Sequence, residues 1–314
     1  MAKTKIEFVC RECGSSHHQW AGQCLDCKEW NTLEEVIISQ ATSSKPESLK
    51  DLPSSKVQNL SEIKSQNNHR LSTGLSELDR TLGGGLVDGS VVLIGGDPGI
   101  GKSTLILQAI AAINASSTTL YVSGEESAEQ VSDRAIRLGI KEDILFIGET
   151  HLEKIIKLSK DVKPKVIVID SIQTMVTDLS ASAPGSVTQV RDCAAQLTQY
   201  AKQTNTILLM IGHVTKGGAL AGPRILEHMV DAVLYFEGDA GGRYRIIRAV
   251  KNRFGAVNEI SVFAMGEKGL QQVSNPSSIF LSNQENPSSG SMVMVTREAT
   301  RPLLVEIQAL VDQA

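Results

Sequence analysis

The chain has 314 residues, a formal net charge of −4 at pH 7 and 41% hydrophobic residues, which is ordinary for one large α/β domain with small additional modules. The negative net charge excludes a chain that is basic overall, so any cations that bind DNA must be concentrated locally. With 4% aromatic residues, a surface that stacks many single-stranded bases is not expected. No apolar run approaches membrane-spanning length and the N-terminus lacks a signal-peptide core, so we expect a cytoplasmic protein without membrane contact.

Four of the five cysteines form two C-x-x-C pairs near the N-terminus. They are Cys10, Cys13, Cys24 and Cys27. In a reducing compartment this pattern favours metal over disulfides, and two tight turns can bring four thiolates onto one tetrahedral Zn²⁺. A redox pair is the alternative, but no thioredoxin-like βαβ pattern follows. We predict a closed, structural zinc module over residues 1–35, in which His17 and His18 are loop residues rather than ligands.

Residues 36–68 are dominated by serine, lysine and other polar residues and predict a flexible linker. The main domain is expected over residues 69–272, where apolar strands alternate with helices, a pattern typical of an α/β fold with a mostly parallel sheet. The predicted strands are Val91–Ile94, Thr119–Ser123, Ile144–Ile147, Val166–Ile169, Thr206–Ile211, Ala232–Glu237 and Tyr244–Val250. The predicted helices are Ser72–Leu82, Leu105–Ile113, 127–138, His151–Lys160 and Val190–Gln203.

The stretch VVLIGGDPGIGKST fits the phosphate-binding pattern G-x-x-x-x-G-K-[ST] between a strand and a helix. Its glycines allow successive N–H groups to point at an anion. Lys102 is placed to reach the outer phosphates, and the Ser103 hydroxyl is placed to ligate Mg²⁺. The sequence therefore predicts a nucleoside triphosphate site. The residues expected to contact the nucleotide are Gly96, Asp97, Pro98, Gly99, Ile100, Gly101, Lys102, Ser103 and Thr104.

Carboxylates follow two of the predicted strands. Asp170 ends the apolar run 166–169, about 70 residues after the phosphate-binding loop. Ligands of parallel sheets gather at the carboxyl ends of strands, so we expect Asp170 near Ser103 as a Mg²⁺ ligand. Glu125 follows the strand 119–123 and could orient or deprotonate the attacking water. Its neighbour Glu126 is the competing candidate.

Two segments of the domain are expected to be loops. Residues 171–189 contain serine, alanine, proline and glycine with few apolar anchors and predict a mobile loop. The segment VTKGGALAGPR, which starts at Val214, is the second. His213 directly precedes it. This histidine is either a sensor of the terminal phosphate or a satisfied histidine at a strand end, and the residue alone does not distinguish the two.

A basic strand follows a predicted hairpin turn at Gly238–Gly242. Its cations are Arg243, Arg245, Arg248, Lys251 and Arg253. One interpretation is a solvated basic edge strand. The other is a phosphate-contacting finger, because the segment Asn252–Gly255 breaks the strand where two cations project.

Taken together, these segments resemble the bacterial RadA (Sms) family of recombination and repair ATPases. The resemblance covers about residues 6–265 and rests on CREC…CLDC, GGDPGIGKST, YVSGEES, VIVIDSIQT, HVTKGGALAGPRILEHMVD and KNRFG. The core is also similar to RecA and the replicative hexameric helicases. The resemblance implies a RecA-like P-loop ATPase core preceded by a small zinc-ribbon module.

The resemblance also implies a homo-hexameric ring with ATP bound between subunits. Lys102, Ser103 and Asp170 would bind ATP and Mg²⁺. Glu125 would activate water. Lys251 and Arg253 would act as trans-acting fingers: they would reach the γ-phosphate of the ATP bound by the neighbouring subunit and so complete that subunit's site.

The partners that the resemblance implies are single-stranded DNA, recombination intermediates and RecA. Loops at 174–189 and 214–226 would face single-stranded DNA along the ring axis, and ATP hydrolysis would drive branch migration. A KaiC-like regulatory ATPase, which switches protein partners without DNA, is the alternative function.

The family normally continues into a Lon-protease-like domain, whereas residues 273–314 resemble only the opening strands of that domain. The apolar strands of this tail are expected to lack partners. No catalytic Ser–Lys pair can be placed there, which disfavours a protease.

Overall fold

The computed structural model describes residues 5–10, 15–38, 59, 70–180, 182–213, 225–238, 242–281 and 289–309. Its strands are β1 (Lys5–Cys10), β2 (Ser16–His17), β3 (Leu33–Ile38), β4 (Arg70–Leu71), β5 (Leu86–Val87), β6 (Val91–Gly95), β7 (Thr119–Ser123), β8 (Leu145–Gly148), β9 (Val166–Asp170), β10 (Ile207–Ile211), β11 (Ala232–Glu237), β12 (Tyr244–Asn252), β13 (Ile260–Gly266), β14 (Gly269–Gln272), β15 (Ser291–Glu298) and β16 (Arg301–Gln308). Its helices are α1 (Ser76–Thr81), α2 (Lys102–Asn114), α3 (Ala128–Leu138), α4 (Leu152–Val162), α5 (Val187–Thr204) and α6 (Ile225–Met229).

The centre of the molecule is one large sheet. Within the described residues it has nine strands in the order β14-β13-β12-β11-β6-β10-β9-β7-β8. The strands from β11 to β8 run parallel to their neighbours, and β12, β13 and β14 are added antiparallel at one side. This arrangement confirms the predicted α/β fold with a mostly parallel sheet. The antiparallel pairing of β11 with β12 also confirms the predicted hairpin.

Helices cover both faces of this sheet, which is why its central strands are continuous apolar runs rather than alternating ones. In β6, Val92 and Ile94 pack into the cluster that contains the apolar residues of α1, α2 and α3. Val91 and Leu93 face the opposite cluster, with α4, α5 and α6. All five residues of β6, β9 and β10 are buried. The resulting three-layer core fixes the carboxyl ends of these strands relative to one another.

Two helices begin at positions that differ from the prediction. Helix α1 begins at Ser76 rather than Ser72, because the Ser72 hydroxyl and the Thr73 backbone N–H bond the Asp79 carboxylate at 2.6 and 2.8 Å in a preceding turn. Helix α5 begins three residues before the predicted Val190, because the Ser186 hydroxyl accepts from the Gln189 N–H at 3.3 Å and caps the helix.

The prediction of a mobile loop at 171–189 is wrong for the first part of this segment. Ile172 and Met175 are fully buried, and the former lies in a 3₁₀ turn at Ile172–Thr174. Thr177 is also buried, and its hydroxyl donates to Glu153 and accepts from Gln196 at 2.8 Å. These contacts anchor the chain directly after β9. The serine, proline and glycine content of this segment predicted a loop, and the anchoring roles of Ile172, Met175 and Thr177 were not apparent from the sequence.

The tail strands have partners, contrary to the prediction. β15 and β16 pair with each other as an antiparallel hairpin over residues 291–308. The turn of the hairpin is held on the main domain: Arg301 forms a buried ion pair of 2.6 Å with Glu77, and the Thr300 N–H donates to Glu259 at 3.0 Å. Several apolar side chains of the hairpin, including Met292 and Val295, remain exposed.

Within the described part of the chain, no helix is both long and apolar enough to cross a membrane.

Candidate nucleotide site and metal-binding ribbon

The phosphate-binding loop follows β6 and leads into α2. Gly96 and Gly101 have φ values of +148° and +113°, and a Cβ at either position would lie 2.8 Å from the side chains of Phe236 and Met265, respectively. Glycine is therefore required at both positions. Gly101 precedes α2 without a side-chain cap, so the first N–H groups of the helix can bind an anion. The sequence revealed the glycines, but not that β11 and β13 pack against them through Phe236 and Met265.

Lys102 folds back over this loop. Its Nζ donates to the carbonyl oxygens of Gly96 and Asp97 at 2.7 and 2.8 Å, and the residue is 4% exposed. Burial lowers the pKa of Lys102, while the carboxylates of Asp170, Asp97 and Glu125 act in the opposite direction. A buried ammonium group surrounded by carbonyl and carboxylate oxygens is prepared to bind phosphate oxygens.

Asp170 ends β9 and lies beside the loop. The Ser103 hydroxyl hydrogen-bonds its carboxylate, so the two residues predicted to hold Mg²⁺ are in contact. One hydroxyl and one carboxylate oxygen fit the ligand preference of Mg²⁺, which binds proteins through few oxygen ligands. Burial raises the pKa of Asp170, and the hydrogen bonds from Tyr121 and Ser103 oppose this shift.

Tyr121 is a site residue that the sequence did not reveal. Its side chain is fully buried in β7, and its hydroxyl donates to Asp170 Oδ2. Burial, together with the Asp170 carboxylate, raises the pKa of Tyr121 well above its usual range, so the hydroxyl remains a donor. A tyrosine in a five-residue apolar strand gives no sequence signal for this role. The hydrogen bond fixes one oxygen of the Asp170 carboxylate.

Glu125 and Glu126 have different surroundings. Glu125 Oε1 accepts hydrogen bonds from the Ser171 hydroxyl and from His213 Nε2, the latter at 3.2 Å. The His213 hydrogen bond is the largest contribution that lowers the pKa of Glu125, and burial opposes it. Glu126 instead pairs with Arg134 of α3. The Glu125 carboxylate thus faces the strand ends that carry Asp170 and His213, whereas Glu126 is neutralised by its own helix.

His213 connects this carboxylate to the segment 214–224, which lies outside the described residues together with most of the predicted loop at 214–226. Its Nδ1 is buried and has no hydrogen-bond partner among the described residues. Its backbone oxygen accepts from Gln173 at 3.5 Å. The contact with Glu125 fits both interpretations of His213, a sensor of the terminal phosphate and a satisfied histidine at a strand end.

The basic strand β12 is not a solvated edge strand, because it lies between β11 and β13. Arg245 is 2% exposed, and its Nε donates to the carbonyl oxygen of Ile100 in the phosphate-binding loop at 2.9 Å. Arg248 pairs with Glu237 and Glu298 at 2.7 and 3.2 Å. Both arginines are therefore structural, and the sequence interpretation of a solvated edge is wrong.

The side chains of Lys251 and Arg253 bind at the end of the sheet opposite the phosphate-binding loop, at Val230 and Asp231 just before β11. Lys251 pairs with Val233, which is level with Leu93 in the middle of β6. Asn252 pairs with Ala232, which is level with Val92, so Arg253 lies next to the amino end of β6. The amino end of β6 is separated from Gly95 by about 13 Å along the strand. In this chain, the two cationic groups therefore lie away from Lys102 and the phosphate-binding loop.

Both cations have partners within the chain. Lys251 Nζ donates to the carbonyl oxygens of Glu227 and Val230 at 2.6 and 2.7 Å, at the C-terminal end of α6. Burial, and then the nearby Arg253, lower the pKa of Lys251. Arg253 pairs with Asp231 at 3.1 Å. The turn that carries them is close-packed, because a Cβ on Gly255 would lie 2.8 Å from the Cα of Gly83.

The N-terminal ribbon is a three-stranded sheet in the order β2-β1-β3. The Sγ atoms of Cys10, Cys24 and Cys27 lie within 4.8 Å of one another, and those of Cys10 and Cys27 are 3.6 Å apart. Four thiolates at 2.3 Å from a tetrahedral Zn²⁺ would be separated by about 3.8 Å. The three described cysteines thus fit a Zn²⁺ site. Cys13, the fourth predicted ligand, lies outside the described residues.

His17 is not a loop residue, because it lies in β2 with its Nε2 3.5 Å from Cys24 Sγ. Ser15 also bonds Cys24, at 3.2 Å. Burial raises the pKa of the Cys24 thiol, but hydrogen bonds from Ser15, the backbone and His17 outweigh it and lower the pKa to about 5. His17 therefore supports a ligand thiolate from beside the cluster. His18 is exposed.

Replacing Cys24 with serine is expected to abolish stoichiometric zinc in the purified protein and to unfold the ribbon, which ends at Ile38, while the ATPase domain stays folded. Among its described residues, the ribbon buries a small apolar cluster around Cys10, Cys24 and Leu33, so metal binding must supply its folding free energy. Metal analysis and limited proteolysis measure the two effects. Serine at Cys193, which is buried in α5, is the matched control and should retain the metal. Full zinc content in the Cys24 variant would contradict the ligand assignment.

Comparisons with known proteins agree with both parts of the molecule. Residues 58–219 match a family model described as an AAA domain, and residues 8–35 match a rubredoxin metal binding domain. The fold and the phosphate-binding loop therefore define a P-loop ATPase with a metal-binding ribbon. The chain belongs to the family of the DNA repair protein RadA, which confirms the resemblance seen in its motifs.

Three relatives illustrate the match. The DNA repair protein RadA of Pseudomonas aeruginosa is 55% identical over 313 residues, which cover 99% of this chain and 69% of that protein. The Escherichia coli protein of the same name is 52% identical over 332 residues, covering 100% and 70%. That of Bacillus subtilis is 48% identical over 316 residues, covering 99% and 69%. The similarity thus extends over the ribbon, the ATPase domain and the tail.

Proposed function

We propose that this protein is a DNA repair ATPase that hydrolyses ATP between neighbouring subunits of a ring, expected to be a homo-hexamer, and uses hydrolysis to move on single-stranded DNA. The observation that carries the proposal is the position of Lys251 and Arg253. Their side chains bind Val230 and Asp231 at the amino end of the sheet, whereas the phosphate-binding loop lies at the carboxyl end. Two cations whose side chains are directed away from the phosphate-binding loop of their own subunit are suited to complete the site of a neighbour.

The residues of one subunit would divide the chemistry as follows. Lys102 would exchange its bonds to the loop carbonyls for bonds to the outer phosphates, and Ser103 and Asp170 would hold Mg²⁺. Bound ATP supplies the γ-phosphoryl group, and Mg²⁺ neutralises charge on the phosphates. The Glu125 carboxylate would orient the attacking water and accept its proton. Arg253 and Lys251 of the next subunit would stabilise the charge that develops in the transition state.

DNA would act on this site through the loops that follow β9 and β10. His213 touches Glu125 and directly precedes the segment 214–224. A change in this segment could therefore alter the position of the catalytic carboxylate. The predicted DNA-facing loop at 174–189 follows Asp170 after the anchored segment that ends at Thr177, and its last three residues belong to α5. This connection supports an ATPase that DNA stimulates, and the relatives are named for DNA repair. Branch migration of recombination intermediates and an interaction with RecA remain predictions of the resemblance.

We expect single-stranded DNA to increase the rate of ATP hydrolysis, and Lys102→Ala to abolish hydrolysis at all DNA concentrations. The measurement is phosphate release with and without DNA, combined with the mass of the assembly. Binding should weaken steeply with salt, because phosphate contacts release counterions. A rate of ATP hydrolysis that DNA does not change at any concentration would favour the alternative function, a regulatory ATPase that switches protein partners without DNA. Hydrolysis that survives Lys102→Ala would contradict the assignment of the site.

A further inference from the structure

Asp231 is a buried carboxylate that the proposed mechanism does not use. It directly precedes β11, and its side chain is 3% exposed. Its backbone N–H donates to the Val91 carbonyl at 2.9 Å, and its Oδ2 accepts from the Val91 N–H at 3.1 Å. These bonds fix the carboxylate at the first residue of the strand that leads to the phosphate-binding loop.

Two cations share this carboxylate. Lys202 of α5 donates to Oδ2 at 2.8 Å, and Arg253 donates to Oδ1 through Nη1 at 3.1 Å. The backbone N–H of Arg253 also donates to the Asp231 carbonyl at 3.0 Å. Arg253 is therefore held at both its backbone and its guanidinium group, whereas Lys202 is held by its side chain.

The guanidinium group is held at one edge while the side chain stays accessible. Arg253 is 56% exposed, although its partner carboxylate is almost completely buried. Guanidinium carries five N–H donors in a fixed planar arrangement, so one contact with Oδ1 leaves other donors for a phosphate. A long side chain that is oriented before it meets its ligand loses less conformational freedom on binding.

We propose that Asp231 is the positioning residue of the trans-acting finger, which it orients through Arg253 towards the phosphates bound by the neighbouring subunit. This inference rests on the proposed function, because it assumes that Arg253 acts on a neighbour's nucleotide. Asp231 itself does not touch the nucleotide. Its contacts with Val91 anchor the finger on the rigid sheet. The finger and β6, the strand that leads to the phosphate-binding loop of the same subunit, therefore move as one body.

The test is a double-mutant cycle between Asp231→Asn and Arg253→Ala, read as DNA-stimulated kcat and as affinity for an ATP analogue. Asn keeps the size of Asp231 but removes the charge that holds the guanidinium group. We expect Asp231→Asn to lower kcat by about ten- to a hundredfold with nearly unchanged nucleotide affinity, because a misplaced group costs rate rather than binding. In the Arg253→Ala background the same change should have no further effect on kcat.

Lys202→Gln is the matched control, because it removes the other cation from the same carboxylate. Lys202 is 47% exposed, and this variant should keep the kcat of the unmodified protein. If Asp231→Asn lowers kcat equally in both backgrounds, its role is independent of Arg253 and the proposal is overturned. If Arg253→Ala alone has no effect on kcat, the trans-acting finger itself fails, which is a failure of the proposed function.

Arg253→Lys provides a second variant in case Asp231→Asn destabilises the fold, and thermal unfolding reports that case. The substitution is at a half-exposed position and leaves the buried carboxylate unchanged. A lysine bound to Asp231 offers a single compact charge and cannot span the carboxylate and a phosphate as the planar fork does. We therefore expect Arg253→Lys to be as slow as Arg253→Ala. Activity close to that of the unmodified protein would overturn the positioning role.

Discussion

Replacing Glu125 with glutamine is expected to lower the kcat of ATP hydrolysis by about 10²–10⁴-fold while ATP affinity is retained. Glutamine has the size of glutamate but cannot accept the proton of the attacking water. Phosphate release and binding of a fluorescent ATP analogue measure the two quantities. The loss should appear in kcat because the carboxylate acts on water in the transition state rather than on bound nucleotide.

Glu126→Gln is the matched control, since the two residues are adjacent but only Glu125 contacts Ser171 and His213. Glu126 pairs with Arg134, so its substitution should change local stability more than kcat. A result in which Glu126→Gln is the slower enzyme would reverse the assignment. Equal, small effects of both substitutions would show that neither carboxylate activates water.

The pH dependence gives an independent reading of the same carboxylate. The His213 and Ser171 hydrogen bonds lower the pKa of Glu125, so its ionised form persists below the usual range of a glutamate. The contribution of Glu125 to kcat should therefore be constant through neutral pH. It should be lost only as the pH falls through this lowered value, and the Gln variant should lack that acidic limb.

Much of the fold could be predicted from sequence because its signals are local. The apolar runs at 119–123 and 232–237 are strands with the predicted bounds, since buried parallel strands need continuous apolar residues. The phosphate-binding loop is equally local, because positive φ values require glycine at Gly96 and Gly101. These features depend on near neighbours in the chain and leave a readable pattern.

The remaining features depend on pairings between distant residues. The bond from Tyr121 to Asp170 joins positions 49 residues apart, and the bond from Arg245 to Ile100 joins positions 145 apart. A tyrosine in an apolar strand and an arginine in a basic strand have no local property that reveals such partners. For Arg245, the sequence even suggested the opposite surroundings, because β13 covers the strand that was expected to be an edge.

Mixing Lys102→Ala subunits with Arg253→Ala subunits is expected to restore hydrolysis that neither variant has alone. The first variant lacks the phosphate-binding lysine but keeps its finger, and the second has the reverse defect. Loss of a trans-acting cation can lower kcat by about 10³–10⁵-fold, so each variant alone should be nearly inactive. Phosphate release at a series of mixing ratios measures the recovery.

The ratio dependence distinguishes action between subunits from action within one. Each head-to-tail interface takes a phosphate-binding loop from one subunit and a finger from the next. In an equal random mixture about a quarter of the interfaces would combine an intact loop with an intact finger. Activity should therefore peak at equal proportions and vanish at both ends of the series.

Two controls fix the interpretation of this series. Mass measurement must show that both variants assemble, since separate rings could not exchange fingers. The second control is a double variant that carries Lys102→Ala and Arg253→Ala in one chain. Mixed with unmodified subunits it should only lower the rate of hydrolysis, because each modified subunit lacks both the phosphate-binding lysine and the finger. If the two single variants assemble together and no ratio restores hydrolysis, Arg253 acts within its own subunit or not at all. Because Arg253 and the phosphate-binding loop of one chain lie at opposite ends of β6, the first of these outcomes would require the sheet itself to rearrange.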